Sequence, residues 1–369
     1  MTTDSRKVVP GCVFVALKGE HFDGNDFVEQ ARRDGAEFII SGENALAELQ
    51  DLARAWRREL GLPILGITGT NGKTTTKELC AAVLSTKYKL YYTQGNLNNQ
   101  LGVPLTLLNI TRAHEMAIVE MGASHPGDIK ELVEIAEPNF GLITNVGKAH
   151  LQGFGSFEGV MRTKAELYDF LRAHNGFCFR NTDNPYLAQM AGDLKTVEYH
   201  TGTMPSDKHL VGGYNAENVS AAICVGRYFG VSEEDALAAI RAYIPSNNRS
   251  QLMQTEKNTV VVDAYNANPT SMQAAINAFK GDCYILGAMR ELGEYSHLEH
   301  QNIVNMLLER KAEKVLLVGE EYKETTAPYP VFENVEALCE YLQREPLSGY
   351  TILLKGSRSN QLEKVIPLL

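Results

Sequence analysis

Long apolar segments are missing from this sequence. No hydrophobic run approaches the roughly 20 residues that are needed to span a bilayer. The apolar stretch at residues 8–17 is interrupted by Pro10 and is followed directly by Lys18. We therefore interpret it as a strand of the folded protein, not as a signal peptide, and we expect no stable insertion into a membrane.

Closely spaced cysteines and an excess of positive charge are missing as well. The six cysteines stand far apart, so the sequence indicates neither a zinc site nor a disulfide framework, and free thiols in the reducing cytoplasm are expected. Lys and Arg number 35 against 45 Asp and Glu, which gives a net charge of −10. An acidic chain of this kind is not expected to bind nucleic acid as its main task.

A length of 369 residues predicts two or three domains, and the sequence patterns divide the chain into three. Residues 1–62 predict a small N-terminal α/β domain. Residues 63–245 and 246–369 each contain apolar runs separated by helical patterns, which is typical of parallel sheets covered by helices on both faces. The fold class is therefore α/β, with a central P-loop-type domain, a C-terminal Rossmann-like domain and a hinge near residues 245–249.

The predicted strands are short apolar runs bounded by turn residues. They lie at residues 12–17, 38–41, 63–68, 89–93, 116–122, 140–147, 259–265, 283–287, 314–319 and 350–356. Helices are predicted at residues 26–36, 44–60, 73–86, 270–279, 297–311 and 334–343. The stretch from Asn181 to Gly212 shows little strand pattern.

The most informative local pattern is ILGITGTNGKTTTKEL at residues 64–79, where a buried strand leads into three glycines, Lys-Thr-Thr and a helix. Backbone N–H groups of such a loop and the positive end of the helix form a cradle for phosphate. Lys73 is placed to reach the β- and γ-phosphates, and the Thr74 hydroxyl to bind Mg²⁺. The strict Gly-x4-Gly-Lys pattern is not met, since Ile67 stands five residues before Gly72. The predicted ATP-binding residues are Gly69, Thr70, Asn71, Gly72, Lys73, Thr74 and Thr75.

This loop resembles that of the Mur ligases of peptidoglycan synthesis and of their relative folylpolyglutamate synthase. Further motifs follow in the family's order and are similar to the branch that adds a dipeptide. They are TQGNLNNQLGVPLTLL (93–108), VEMGASHPGDI (119–129), TNVGKAHLQGFGS (144–156), TKAELYDFL (163–171), DAYNANPTSM (263–272), LGAMRELGEYS (286–296) and LLKGSRSN (353–360).

The resemblance implies an ATP-dependent ligase that forms an amide bond. ATP would phosphorylate the terminal carboxylate of a UDP-linked muramoyl tripeptide, and the amine of D-alanyl-D-alanine would attack the acyl phosphate. No redox cofactor is implied, and a monomer is expected. The uridine diphosphate would bind the first domain at Ser5, Arg6, Lys18, Phe22 and Asp23.

The resemblance also implies two Mg²⁺ ions and four catalytic residues. Thr74 and Glu120 would hold the first ion and His150 the second. Lys164 matches a lysine that carries a carbamate in this family, and a carbamate supplies the oxygen ligands that Mg²⁺ prefers. Lys73, Glu120, His150 and Lys164 are thus the predicted catalytic residues.

The remaining predicted residues contact the nucleotide or the peptide substrates. Asn145, Asn218 and Arg249 would bind the nucleotide, and Asp263, at the end of a strand, suits the ribose hydroxyls. The residues predicted to hold the muramoyl peptide, the growing peptide's carboxylate or the incoming dipeptide are Asn96, Asn98, Asn99, Asn266, Asn268, Lys355, Ser357 and Arg358.

Three other interpretations of the sequence remain open at this point. A related ligase could add a different amino acid or act on folate. A nucleotide-binding switch would be expected to carry an Asp where this chain has Glu120. A purely structural α/β protein would leave the Lys-Thr-Thr turn, Glu120 and His150 unexplained.

Overall fold

The described residues form two six-stranded sheets and one two-stranded sheet. The computed structural model describes residues 1–19, 22–204, 210, 212–245 and 249–369. Most of the hinge predicted at 245–249 lies outside the described residues, as do Glu20 and His21, which stand between the predicted substrate residues Lys18 and Phe22. None of the helices in the described ranges is both long and apolar enough to cross a membrane.

The first sheet is formed by two short parallel strands, β1 (Val13–Val15) and β2 (Phe38–Ile40). The helix between them is α1 (Val28–Arg33), and a longer helix follows, α2 (Ala45–Leu60). Phe14, Ala16 and Ala31 form the small core of this unit. Short 3-10 helices lie at Ser5–Lys7 and Gly24–Phe27.

The central domain alternates strands and helices along the chain. Its elements are β3 (Ile64–Thr68), α3 (Lys73–Leu84), β4 (Leu90–Tyr92), α4 (Gly102–Leu108), β5 (Met116–Glu120), α5 (Asp128–Ala136), β6 (Phe140–Ile143), α6 (Leu151–Phe154), α7 (Phe157–Ala173), β7 (Phe177–Asn181), α8 (Pro185–Ala191), β8 (Thr196–Tyr199), α9 (Asn215–Tyr228) and α10 (Glu233–Ala242). The strands pair in parallel in the order β4-β5-β3-β6-β7-β8.

Both faces of this central sheet are covered, as the continuous apolar runs predict. Ile64 and Val119 point into a core shared with α4, α5 and α7. Leu65 and Ile118, which are adjacent to Ile64 and Val119 in the sequence, point into the core on the opposite face, with α3, α9 and α10. After β3 the chain forms β4 and β5 on one side of β3, and it later forms β6 on the other side. A crevice therefore opens at the carboxyl end of β3.

The C-terminal domain contains a second sheet of the same kind. Its elements are β9 (Gln251–Gln254), β10 (Thr259–Asp263), α11 (Pro269–Ala278), β11 (Cys283–Gly287), α12 (Ser296–Glu309), β12 (Lys314–Val318), β13 (Val331–Phe332), α13 (Val335–Arg344) and β14 (Thr351–Lys355). The strand order is β13-β12-β11-β14-β10-β9, and β9 alone of these described strands runs antiparallel. Additional 3-10 helices lie at Gly293–Tyr295, Glu320–Glu324, Arg358–Asn360 and Leu362–Leu368.

The α/β class and the three-domain arrangement predicted from the sequence are confirmed. Four strands were not predicted: β7, β8, β9 and β13. The sequence shows few signs of a strand between Asn181 and Gly212, yet β8 lies in this stretch. This strand is at the sheet edge and its side chains are mostly half-buried, so its sequence TVEY needs no apolar run.

Helix α2, assigned to the first domain by its sequence position, packs against α4 and α5 of the central domain. Arg57 on this helix is 7% exposed and donates to the carbonyl oxygens of Ala136 and Glu137, both at 3.0 Å. Its guanidinium also reaches Asn139 Oδ1 at 3.0 Å. Burial lowers the pKa of Arg57, and the nearby Glu137 carboxylate opposes this shift. The arginine therefore fixes the first domain's connection to the central domain.

We expect Arg57→Ala to destabilise the central domain by about 2–3 kcal/mol, since the substitution leaves buried carbonyl groups without donors. The measurement is chemical denaturation followed by the fluorescence of Trp56, the single tryptophan, which lies on the same helix. Arg58→Ala is the matched control: Arg58 is exposed and pairs with Glu137 at 2.6 Å, so its loss should cost at most about 1 kcal/mol. Equal effects of the two variants would contradict the assignment.

Candidate active site

A cavity of about 800 Å³ opens between the central and C-terminal domains. The central domain lines it with the loop after β3, with Glu120 at the end of β5 and with Asn145 after β6. The C-terminal domain contributes Asp263 and Lys355, the last residues of β10 and β14. Ligands of doubly wound folds bind at such carboxyl ends, where the strand order reverses. The fold thus places its site here.

The loop between β3 and α3 has the geometry of a phosphate cradle. Gly69 and Gly72 have positive φ angles of 142° and 79°. A Cβ at Gly69 would lie 2.0 Å from Thr144 Oγ1, and one at Gly72 would lie 2.4 Å from Asn218 Oδ1, so glycine is required at both positions. The Asn71 N–H donates to Asn145 Oδ1 at 3.0 Å, which fixes the loop to the segment after β6.

The Lys73 side chain is folded back over this loop. Its ammonium donates to the carbonyl oxygens of Gly69 at 2.8 Å and Thr70 at 3.0 Å. Burial lowers the pKa of Lys73 to about 8; the Glu120 carboxylate opposes this shift and the Arg249 guanidinium adds to it. The hydrogen bonds to Gly69 and Thr70 hold the Lys73 ammonium beside the N-terminus of α3, where an anion would bind.

Glu120 is the most strongly enclosed carboxylate of the site, at 1% exposed. Its Oε1 accepts hydrogen bonds from Thr74 Oγ1 at 3.1 Å and Asn98 Nδ2 at 2.8 Å. Its Oε2 is buried and has no hydrogen-bond partner in the part of the chain that the structure describes, although Lys77 Nζ lies 3.7 Å away. A carboxylate oxygen without a partner, next to a threonine hydroxyl, fits Mg²⁺, a cation that takes oxygen ligands. The predicted pair of Thr74 and Glu120 is thus brought together.

His150 and Lys164 both lie close to the Phe154 ring. The His150 ring centre is 6.2 Å from that of Phe154, and Lys164 Nζ lies 5.5 Å from it. His150 contacts Glu291 of the C-terminal domain through Nδ1. Lys164 is 2% exposed and does not line the large cavity.

The electrostatic surroundings of these two residues favour their neutral forms. Burial lowers the pKa of His150, opposed by Glu291 and assisted by Lys73. Burial also places the pKa of Lys164 well below its usual value; Lys73 adds to this shift, while Asp128 and Glu166 oppose it. In the described part of the chain no three His, Cys, Asp or Glu side chains are grouped as a metal site. Any metal here would therefore also require other ligand types.

The four nucleotide-binding residues predicted outside the phosphate loop all line the large cavity: Asn145, Asn218, Arg249 and Asp263. Asn218 accepts from Thr76 Oγ1 at 2.9 Å. The Arg249 guanidinium stacks 3.9 Å from the centre of the Tyr265 ring, and its buried Nε has no hydrogen-bond partner among the described residues.

The predicted peptide-site residues divide between two cavities. Asn96, Asn98, Asn99, Asn266 and Lys355 line the large one, whereas Asn266, Asn268, Ser357 and Arg358 line an adjoining cavity of about 270 Å³. Lys355 already pairs with Asp263 at 2.7 Å, so both charges are engaged with each other in this conformation. Asn268 donates to Asn71 Oδ1 at 2.8 Å and thereby joins the C-terminal domain to the phosphate loop.

The residues predicted to hold the uridine diphosphate line neither of these two cavities. Arg6 pairs with Asp4 at 2.8 Å, and Asp23 accepts from the Asn25 backbone at 2.9 Å. Phe22 is 65% exposed. These residues, with Ser5 and Lys18, belong to the N-terminal domain, so a ligand bound there would have to extend toward the large cavity.

Sequence reasoning missed several residues of the site. Lys77 is fully buried and donates to the Thr93 carbonyl at 2.7 Å. Its position four residues after Lys73 places both on one face of α3, and that spacing could have identified it. Glu217, Tyr265 and Glu291 also line the large cavity. Tyr265 and Glu291 lie within the family motifs at residues 263–272 and 286–296, which could have identified them.

Three signatures of one family match the chain: the Mur ligase family catalytic domain at residues 1–82, the Mur ligase middle domain at 67–208 and the Mur ligase glutamate ligase domain at 248–358. The chain belongs to the Mur ligase family. This membership confirms the family suggested by the sequence motifs and makes the protein an ATP-dependent ligase.

Curated relatives match over nearly their whole length. The UDP-N-acetylmuramoyl-tripeptide–D-alanyl-D-alanine ligases of Bacillus subtilis and Escherichia coli are each 32% identical to the chain; the alignments cover 99% and 100% of it and 92% and 93% of those proteins. The crystal structure of the MurF ligase of Thermotoga maritima in complex with ADP superposes with a TM-score of 0.87 at 28% identity, covering 100% of this chain and 96% of that one.

We expect the affinity for ADP to fall between about pH 7 and about pH 9. Because the pKa of Lys73 is lowered to about 8 in the free protein, its charge is present below that pH and lost above it. The measurement is the dissociation constant by titration calorimetry across this range. Lys73→Arg, which stays charged, should show a flatter dependence, and an unchanged pH profile in that variant would exclude Lys73 as the titrating group.

Proposed function

We propose that this protein joins D-alanyl-D-alanine to a UDP-N-acetylmuramoyl-tripeptide at the expense of ATP, in the synthesis of peptidoglycan precursors. The single observation that carries the proposal is the large cavity, where the phosphate loop, Glu120 and the C-terminal domain meet. The full-length similarity to ligases named for this reaction supports it. A cytoplasmic location and a monomeric state stay predictions.

The chain's own residues supply the charge control that the reaction needs. A carboxylate must approach the γ-phosphate of ATP, and two anions approach each other only where positive charge and N–H donors surround them. The Lys73 ammonium and the backbone N–H groups at the N-terminus of α3 provide these donors. Thr74 and Glu120 would hold Mg²⁺, which supplies further neutralisation of the phosphate oxygens.

His150 and Lys164 complete the proposed metal-binding set. A neutral imidazole suits a ligand, and burial lowers the pKa of His150 accordingly. We propose that the Lys164 amine adds to CO₂, so that one N–C bond forms, one proton is released and the lysine becomes an anionic carbamate. The buried, unprotonated state favoured at Lys164 is the form that reacts.

The smaller cavity has the charges to receive the incoming dipeptide. Arg290, Glu291 and Arg358 line it, and Glu291 contacts His150. A guanidinium suits the dipeptide's carboxylate, and a carboxylate suits its amine. Ser357 lines the same cavity with a buried hydroxyl, for which the described residues provide no hydrogen-bond partner. We place the muramoyl peptide along Asn96, Asn98 and Asn99, with its uridine diphosphate on the N-terminal domain.

The decisive experiment is an assay of phosphate release in which each substrate is omitted in turn. We expect turnover only when ATP, the UDP-linked tripeptide and D-alanyl-D-alanine are all present. Lys73→Ala should lower turnover by about 100-fold or more, because it removes a charge that stabilises the transferring phosphate. ATP hydrolysis that is indifferent to both other substrates would contradict the ligase proposal.

The carbamate is tested by chemical rescue. We expect Lys164→Ala to be nearly inactive and to regain part of its activity in high concentrations of a short carboxylic acid, which replaces the missing oxygen ligands. Lys130→Ala, which changes an exposed lysine on α5, is the control and should neither lose activity nor respond to the acid. Full activity of the unaltered protein in buffer freed of CO₂, with a bare amine at Lys164 in a crystal structure, would exclude the carbamate.

A further inference from the structure

A buried lysine lies behind the Glu120 carboxylate. Lys77 is fully buried and does not line the large cavity, whereas Glu120 and Thr74 do. The Lys77 Nζ atom lies 3.7 Å from Glu120 Oε2 and 3.1 Å from Glu78 Oε1. The Glu120 carboxylate therefore has a positive charge on one side and the cavity on the other.

The position of this charge is fixed by the ends of two strands. The Lys77 ammonium donates to the carbonyl oxygen of Thr93, directly after β4, at 2.7 Å. It also lies 5.7 Å from the centre of the Tyr92 ring. The Thr93 hydroxyl in turn accepts from the Glu120 N–H at 3.0 Å, at the end of β5. Because a buried carbonyl without its donor is unfavourable, the ammonium is held beside Glu120.

The two oxygens of Glu120 have different surroundings. Oε1 accepts from Thr74 Oγ1 at 3.1 Å and from Asn98 Nδ2 at 2.8 Å. Oε2 accepts no hydrogen bond within the described ranges, and Lys77 at 3.7 Å is too far away to donate one. Lys77 thus opposes the charge of Oε2 without occupying its lone pairs, so this oxygen stays open to a cation that enters from the cavity.

The charges next to this oxygen cancel each other. Lys73 and Lys77 supply two positive charges, and Glu78 and Glu120 supply two negative ones; Lys73 is close enough to interact electrostatically with Glu120. A divalent cation that enters this group gives up water molecules for one carboxylate and is repelled by two ammonium groups. The phosphates of a nucleotide carry the negative charge that is missing here.

We propose that Lys77 is a fixed counter-ion of Glu120, which prevents a divalent metal ion from binding tightly at Thr74 and Glu120 before the phosphates of a nucleotide are present. Lys77 is then a positioning residue, because it acts through Glu120 and touches no substrate. This inference rests on the proposed function, since it assumes that Thr74 and Glu120 form the metal site.

A merely structural role of Lys77 leads to the opposite expectation. If Lys77 only joined α3 to Thr93, its loss would loosen the surroundings of Glu120 and would weaken metal binding or leave it unchanged. If Lys77 is a counter-ion, its loss leaves an enclosed carboxylate without a balancing charge, and a metal ion then binds more tightly. The sign of the change in metal affinity separates the two roles.

The test measures the dissociation constant for Mn²⁺ in the full-length protein without nucleotide, by electron paramagnetic resonance of free Mn²⁺ at pH 7. Mn²⁺ takes the same oxygen ligands as Mg²⁺ and is the probe. We expect Lys77→Met to lower the dissociation constant by about 10-fold or more. Lys77→Arg keeps the charge and should stay within about threefold of the unaltered protein.

Two further variants assign the effect to this site. Adding Glu120→Gln to Lys77→Met should abolish the tight binding, whereas tight binding that survives would place the ion elsewhere and overturn the inference. Lys87→Met is the matched control, because Lys87 is exposed and donates to the carbonyl oxygens of Phe229 at 3.1 Å and Gly230 at 3.0 Å. It should leave the Mn²⁺ affinity unchanged.

Glu78→Gln tests the inference even if Lys77→Met does not fold. The Glu78 side chain is 22% exposed, and its loss leaves the Lys77 charge to act on Glu120 alone. We expect the Mn²⁺ affinity to fall by about threefold or more. An unchanged or weaker affinity in folded Lys77→Met, or an unchanged or tighter one in Glu78→Gln, would overturn the inference and leave the ligase function intact. Binding of ADP that is independent of Mn²⁺ in the unaltered protein would instead remove the proposed metal site itself.

Discussion

A buried carboxylate at the end of β5 links the elements that surround the large cavity. Glu120 is almost fully enclosed, and an enclosed carboxylate is stable only where donors or cations surround it. Thr74 and Lys77 come from α3, and Asn98 comes from the segment after β4. The Glu120 N–H also donates to Thr93 Oγ1 at 3.0 Å. One side chain thus holds the phosphate-loop helix against the neighbouring strand connections.

The second constraint is the polar contact between the central and C-terminal domains. Asn268 reaches the phosphate loop at Asn71, and the Lys148 N–H donates to Thr270 Oγ1 at 3.0 Å. The Lys148 ammonium pairs with the buried Glu299 at 2.9 Å. These contacts all fall on the loops after β3 and β6, so the position of the C-terminal domain and the shape of the phosphate cradle are coupled in this conformation.

Much of the site could be predicted from the sequence, but its pairings could not. The phosphate loop, Glu120 and His150 follow apolar runs, and the carboxyl ends of parallel strands meet at one edge of a sheet. Lys355 and Asp263 were predicted to contact different ligands, yet they pair with each other because β10 and β14 are neighbours. Neighbour relations between strands depend on the whole fold and leave no local pattern.

The sequence by itself determined the family, the fold class and the identity of the phosphate loop, because apolar periodicity and the Gly-Lys-Thr-Thr turn are local properties of the chain. Only the tertiary structure decided which groups are buried together. The placement of α2 on the central domain, the burial of Lys77 beside Glu120 and the position of Glu217 in the cavity wall all arise from contacts between distant segments. Burial and charge pairing are properties of those contacts, and no single segment of the sequence contains them.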